Sequence, residues 1–455
     1  MQKMFLQIPC LSESRVYSGA KTIRDELFNK KVDSRYIEVS IQHFIKLNKH
    51  LLDFIGISVD VNGSGHDLEM KFVSSNYAGA IPVKQPYDGI VHGDLQVLPR
   101  FDSSNKSIAE LTKIISILKH SIVPEFYESA VLTQPYQLRP PIYADAIKYI
   151  ELFEAAYHYR WQKFNAISRT HSYPKSGTRW DKYALKVSDP NKALLFPAVD
   201  NVLSIDHREW QQLRYVFDIA KASLNEPSVP TSIKYTYQTR LAQLEKKVES
   251  IVPVSVDYFN KNTHDPMCIT RLKDQANLLL KQNTSICSAW RIDIAELFER
   301  YVQHVVSKAA SEISGKAIPN HKIWANGNVP FWGLRYLEPD IYVRLSDMVI
   351  MADAKYKSNM YASAVSSDTL KETHRSDLHQ LLAYCSFEPQ KKKAGILFYP
   401  NSQVSYKKMY YTGISSGSDC AVVLFGIPFA ANSISDNVKA IKELLINQMK
   451  ELEYN

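Results

Sequence analysis

Leu337-Glu-Pro-Asp-Ile-Tyr-Val-Arg-Leu-Ser-Asp-Met-Val-Ile-Met-Ala-Asp-Ala-Lys-Tyr-Lys357 reads as two short strands joined by a tight turn, with acids where the strands meet. The midpoint of Asp340 and Asp353 falls between Ser346 and Asp347. A two- or four-residue loop centred there sets the two carboxylates opposite each other on one face, with Cβ atoms roughly 4.5–5.5 Å apart. Like charges that close are unfavourable unless a cation sits between them. A hard divalent ion such as Mg²⁺ takes oxygen ligands of this kind. Lys355 lies two residues beyond Asp353, so the pleat returns it to the same face. The other strand positions, Val349, Ile350, Met351, Ala352 and Ala354, are apolar and expected to be buried.

Pro339-Asp340, a gap, then Asp353-Ala-Lys355 resembles the signature of the PD-(D/E)xK nuclease superfamily. Downstream, Asp377-Leu-His-Gln-Leu-Leu-Ala-Tyr384 spaces Leu378, Leu381, Leu382 and Cys385 as an amphipathic helix does. Gln380 and Tyr384 sit four apart on an adjacent stripe, which matches the Gln-x-x-x-Tyr motif of several of these nucleases. Taken together, Asp-Ala-Lys-Tyr-Lys and Asp-Leu-x-Gln-Leu-Leu-Ala-Tyr resemble McrC, the nuclease subunit of modified-cytosine restriction systems.

A helix should precede the hairpin. Between Trp290 and Ile313, the residues Ile294, Leu297, Phe298, Tyr301, Val302, Val305 and Val306 form one apolar stripe at helical spacing. Glu296 points away from that stripe and Glu299 lies at its edge. The superfamily often draws a further acid from this helix, and McrC-like chains carry Leu-Phe-Glu here. The resemblance therefore selects Glu299, against the plainer reading of a solvated helix glutamate. It also implies a metal site of Asp340, Asp353, Glu299 and the carbonyl of Ala354 holding Mg²⁺, for which Mn²⁺ can substitute. Lys355 would position water or stabilise the transition state. Gln380 would fix Lys355 or touch the DNA backbone, and Tyr384 would contact DNA or pack.

Composition sets the frame. The chain has 455 residues, 45% hydrophobic and 22% charged, too long for one ordinary core and favouring two to four domains. Its five cysteines, Cys10, Cys268, Cys287, Cys385 and Cys420, are scattered without Cys-x-x-Cys or zinc spacing, so reduced thiols are expected. No run of about eighteen apolar residues occurs and the first ten residues lack an export signal, so a soluble cytoplasmic protein is expected, with no membrane partner. The net charge of +8 suggests a polyanionic partner. Between Lys355 and Tyr411 nine Lys and Arg face four acids. Lys357 and Arg375 are the phosphate-contact candidates there. Lys391 to Lys393 suit a solvated surface equally well.

Three regions are expected, making an α+β multidomain chain. Residues 1–104 read as a β-rich domain with a helix at Ile41 to Leu52. Its Asn76-Tyr-Ala-Gly-Ala-Ile81 and Asp94-Leu-Gln-Val-Leu-Pro-Arg100 resemble the amino-terminal part of McrC-like proteins, where the partner docks. Residues 105–284 read as helical: Ala109 to Ile122, Ile142 to Ile167, Asp206 to Leu224, Ser232 to Ile251 and Ile269 to Gln282. Between two of these helices, Arg169 to Tyr183 interleaves basic and aromatic residues. Arg169, Lys175 and Arg179 could lie on DNA phosphates with Trp180 stacking; an ordinary loop with Trp180 tucked into the helices is the alternative. Residues 285–455 hold the expected PD-(D/E)xK mixed-sheet α/β core, with strands at Ala394 to Tyr399 and Ala421 to Phe425, a final helix near Asp436 to Leu452, and a long polar loop at Tyr356 to Ser376.

No Gly-x-x-x-x-Gly-Lys-[Ser/Thr] loop occurs. McrC-like subunits work with a separate AAA+ GTPase hexamer of the McrB type, so the resemblance implies that partner, double-stranded DNA as substrate, and pairing of two nuclease subunits as a further option. Two other readings stay open. A stand-alone nuclease would leave the amino-terminal and helical regions unexplained, and a noncatalytic assembly subunit would leave the acid-acid-lysine set unexplained.

Overall fold

The computed structural model describes residues 4–101, 108–118, 124–134, 138, 143–226, 229, 231–260, 262–284, 288–325, 327, 330–331, 333–346, 348–357, 367–388, 392–412 and 420–451. The chain forms two compact units: residues 1–140 together with 286–455, and residues 141–285.

The first unit begins with β1 (Met4–Pro9), β2 (Ser12–Ser18), a helical turn α1 (Ala20–Thr22) and α2 (Ile37–Ile55). Next come β3 (Ile57–Asn62), β4 (Glu69–Ser74), β5 (Tyr77–Lys84), β6 (Val91–Leu98), α3 (Ile108–Leu118) and β7 (Glu125–Val131). Helix α2 buries Ile37, Ile41, Phe44, Leu51, Leu52 and Ile55, so the expected helix is longer at both ends. It stops at Gly56, whose φ of 70° suits glycine and whose N–H caps the Leu52 and Asp53 carbonyls. Strand β3 therefore starts at Ile57.

The second unit holds α4 (Tyr143–Tyr159), β8 (Lys163–His171), the short α5 (Trp180–Ala184), β9 (Phe196–Ser204), α6 (Arg208–Asn225), α7 (Thr231–Val248) and α8 (Met267–Thr284). Its core stacks Phe153 on Trp210, ring centroids 5.2 Å apart, with Leu213, Phe217, Leu244 and Leu272 around them. The helix expected to run to Ile167 ends at Tyr159, where Arg160 turns left-handed at φ 53° and the chain departs as β8. An antiparallel hairpin β8–β9 was not foreseen in this region, because its polar and apolar residues alternate only weakly.

The chain then rejoins the first unit with β10 (Ser288–Asp293) and α9 (Ile294–Ser311). Strand β10 is antiparallel to both β5 and β7 in a sheet of order β1-β6-β5-β10-β7. Gly79 makes this approach possible, since a Cβ there would lie 2.1 Å from the Trp290 carbonyl oxygen. The segment expected to open a separate carboxyl-terminal domain is thus laced into the amino-terminal sheet.

The remaining elements are β11 (Lys316–Pro319), β12 (Ile323–Trp324), β13 (Tyr336–Leu337), β14 (Ile341–Arg344), β15 (Val349–Ala354), α10 (Ser367–Ser386), β16 (Lys393–Pro400), β17 (Ser405–Tyr411), β18 (Cys420–Ile427) and α11 (Ile434–Glu451). They make a mixed sheet of order β11-β14-β15-β16-β18-β17, parallel through β15, β16 and β18. Helix α10 lies on β16 at Gly395, where a Cβ would stand 2.6 Å from a Leu381 methyl. Of the expected polar loop, residues 358–366 lie outside the described residues, and α10 already begins at Ser367. The whole is an α+β chain, and no described helix is long and apolar enough to cross a membrane.

Candidate functional site

Strands β14 and β15 pair Ile341 with Ala352 and Arg344 with Val349, and Leu345 N–H donates to the Met348 carbonyl at the turn. One step further in this register, Asp340 faces Asp353. Ile341, Val343, Val349, Ile350 and Ala352 are fully buried, which pins the register and leaves no slack for a one-residue slip. Asp340 Oδ2 accepts from the Ala354 backbone N–H at 2.7 Å. Asp353, only 1% exposed, meets the Lys355 ammonium, and its Oδ2 accepts no aligned hydrogen bond.

Helix α10 supplies the other side. Lys355 Nζ donates to Gln380 Oε1 at 2.9 Å, Gln380 Nε2 donates to the Tyr384 hydroxyl at 2.6 Å, and that hydroxyl donates to the Glu338 carbonyl at 3.3 Å. The chain Glu338–Tyr384–Gln380–Lys355 thus ties helix, strand entry and lysine together, and each link fixes the next.

Helix α9 is capped by Asp293, whose carboxylate accepts from the Ala295 and Glu296 N–H groups and is itself held by Asn76 Nδ2 at 2.7 Å. Its apolar stripe is buried, which turns Glu299 inward and leaves Glu296 exposed. Glu299 Oε1 accepts from Gln303 Nε2 at 2.8 Å and from Asn320 Nδ2 at 3.3 Å. Gln303 Nε2 also donates to the Asp340 carbonyl at 3.1 Å. Gln303 and Asn320 were not singled out from sequence; the i, i+4 spacing of Gln303 from Glu299 was the available signal.

The electrostatics follow from crowding. Burial first, then the neighbouring Asp353 charge, pushes the Asp340 carboxyl up to about 8. Burial likewise raises Glu299. For Lys355 burial disfavours the ammonium, but the adjoining Asp353 carboxylate overrides it, so its pKa rises. One ammonium therefore serves the carboxylate pair, while Arg300 stands 4.0 Å from the nearby Glu299. Among the described residues, no group of three or more His, Cys, Asp or Glu side chains is assembled around a common metal position. Asp340 and Asp353 meet as a pair, and Glu299 does not complete a triad with them.

Other candidates are distributed differently. Lys357 pairs with the buried Asp377 at 2.6 Å, and Asp377 also accepts from the Tyr399 hydroxyl at 3.4 Å. Exposed Arg375 pairs with Glu372 at 3.1 Å. Tyr384 is buried, its ring in the core beside Leu381 and Met351. Tyr356 of the same motif donates to the Arg100 carbonyl at 2.5 Å and meets the Cys10 thiol at 3.3 Å, which anchors the strand exit. Cys10, Cys385 and Cys420 are buried free thiols and Cys268 is half-buried; Cys287 and Lys391 lie outside the described residues. In the second unit, Arg169 stands exposed on β8 and Lys175 approaches Asp200 at 3.8 Å. Arg179 there pairs with Asp181 at 3.0 Å. Trp180 is 56% exposed against Tyr183 and Phe196, not tucked among helices.

Fold and site together define an α+β protein with an acid-acid-lysine hairpin backed by a helix-borne glutamine and tyrosine. Residues 73–400 match the family model of the McrBC 5-methylcytosine restriction system component, and the chain belongs to that family. The resemblance read from Asp340, Asp353, Lys355, Gln380 and Tyr384 is borne out at this level. No curated protein matches. Two solved structures from Thermococcus gammatolerans match the chain. One is the refined half-complex from a tetradecameric assembly of McrB AAA+ hexamers with bound McrC, at 15% identity and TM-score 0.45, covering 97% of this chain and 99% of that one. The other, the cryo-EM structure of the McrBC complex, has 12% identity and TM-score 0.29, covering 67% and 88%.

Proposed function

We propose that the chain is the McrC-type, metal-dependent DNA endonuclease subunit of a restriction system, built on a PD-(D/E)xK core, and that it works with and stimulates an McrB-like AAA+ GTPase. The observation that carries this reading is the facing of Asp340 and Asp353 with Lys355 held on the same face by Gln380. Family membership supports the partner, as does the lack of any P-loop motif in this chain.

A hard divalent cation suits the donor set: two crowded carboxylates, one with its pKa pushed to about 8, and a buried Asp353 oxygen without an aligned donor. Asp340, Asp353 and the Ala354 carbonyl would hold Mg²⁺, and Glu299, held off by Gln303 and Asn320, would add a further acid only by leaving those partners; bound, the ion supplies charge neutralisation and Lewis-acid polarisation of phosphoryl oxygens. The chain's own residues do the rest. Lys355 keeps its proton, as its raised pKa ensures, and donates to a phosphoryl oxygen or to the attacking water. Gln380 fixes the direction of that donation, and Tyr384 fixes Gln380. With Lys357 tied to Asp377 and Tyr384 buried, the phosphate contacts assigned to Lys357 and Tyr384 would require those links to loosen.

The test uses the full chain with its motor. The parent should cleave duplex DNA with Mg²⁺ and raise the motor's GTP hydrolysis, whereas Lys355→Ala should lose cleavage and keep the stimulation. Loss of stimulation on changing Lys355 alone, or cleavage by that variant near the parent rate, overturns the reading.

A further inference from the structure

Between β11 and β14 the short strands β12 and β13 form an arm that pairs Ile323 with Leu337 and Trp324 with Tyr336; residues 326, 328, 329 and 332 between them lie outside the described residues. Alternation gives the arm two faces. Ile323 and Leu337 pack onto the core of the mixed sheet beside Tyr342 and Leu378. Trp324 and Tyr336 occupy the other face, ring centroids 5.0 Å apart, with Lys322 Nζ 4.2 Å over the Tyr336 ring. Trp324 is 62%, Phe331 94% and Leu334 81% exposed, a concentration of uncovered apolar surface that a soluble protein ordinarily buries.

Charge indicates what covers it. Residues 321–337 contain no Asp or Glu, while they carry Lys322, Arg335 and His321. Lys322 and Arg335 are exposed, and among the described residues neither stands in an ion pair. A basic, aromatic, acid-free surface fits a polyanion that also offers flat apolar faces. Position agrees, because the arm runs through Leu337 and Glu338 directly into Asp340, and the Glu338 carbonyl is held by Tyr384. Of the arm's residues, Arg335 and Tyr336 lie within five positions of Asp340.

The geometry points to the β12–β13 arm as a DNA-gripping element beside the hairpin site, with Lys322 and Arg335 on phosphates and Trp324 and Phe331 against deoxyribose or base faces. This rests on the nuclease reading and adds to it the surface that holds the duplex.

The test is duplex binding by the full chain in metal-free buffer, read by fluorescence anisotropy across a salt series, so that no cleavage is needed. Lys322→Ala/Arg335→Ala should lower the slope of log affinity against log salt by about 2, close to one unit per phosphate contact. Trp324→Ala/Phe331→Ala should weaken binding by about 10-fold or more and leave the slope unchanged, because stacking carries no counterion release. These side chains are exposed, so both variants should melt as the parent does. Arm variants that bind like the parent overturn the inference, as does a parent that binds no duplex. Unchanged DNA binding with altered sedimentation would assign the arm to a protein contact instead and also overturn it. Arm-dependent binding by a parent that never cleaves would uphold the arm and sink the nuclease reading.

Discussion

Two places in the molecule bury a lysine against acids, and they differ in balance. In the second unit, Lys273, 1% exposed, meets Asp265 at 2.6 Å and Glu209 at 2.5 Å, and Lys163 meets the same Glu209 at 2.5 Å. Two cations face two anions. Burial raises Glu209, yet its hydrogen bonds to Lys163 and Lys273 override this and leave it below its ordinary value. At the hairpin, one Lys355 serves both Asp340 and Asp353, while the neighbouring Glu299 has Arg300 at 4.0 Å, and Asp340 rises to about 8. In the first cluster the charges match one for one, whereas at the hairpin two acids share one lysine, and a carboxyl with its pKa raised in this way marks a candidate functional site.

The largest expected effect breaks the comparison at the hairpin. Asp340→Ala, Asp353→Ala and Lys355→Ala should each cost roughly 10²–10³-fold or more in cleavage, because the groups act as a unit. Circular dichroism should show each variant folded, and any single variant cutting at near the parent rate would remove the assignment. The converse experiment is Lys273→Ala. Leaving Asp265 and Glu209 buried without their lysine should cost about 3–5 kcal/mol in urea unfolding, with the cleavage rate of the folded fraction unchanged. An equal loss of activity per folded molecule would mean that the balanced cluster also serves the chemistry.

Smaller effects sharpen the picture. Glu299→Ala and Gln380→Ala should each reduce metal affinity or activity by roughly 10- to 100-fold, and a Mg²⁺ titration of cleavage should shift to higher concentration for Glu299→Ala. An unchanged curve, joined to full loss for Glu296→Ala, would reverse the choice between the two glutamates. The smallest effect is expected for Gly395→Ala. Its methyl would press on Leu381 and lift α10 from β16, costing about 1–3 kcal/mol and lengthening the reach from Gln380 to Lys355. Unchanged thermal stability would show that α10 can shift freely.

By itself, the sequence determined the local parts of this protein. The midpoint between Asp340 and Asp353 and the alternation of Val349 to Ala354 set the hairpin register, which the pairing of Ile341 with Ala352 repeats. Helices α2, α9 and α10 were legible from their apolar stripes, and the spacing of Gln380 and Tyr384 gave their shared face. Tertiary structure alone decided that Gln380 reaches Lys355, that Lys357 is met by Asp377, and that Gln303 and Asn320 bracket Glu299. It also decided that β10 closes a sheet with β5 and β7, strands more than 150 residues earlier, so that the two ends of the chain share one unit. Periodicity and turn chemistry act between near neighbours and leave their mark in adjacent residues, whereas a contact across hundreds of residues depends on how whole surfaces pack and leaves no local spacing to read.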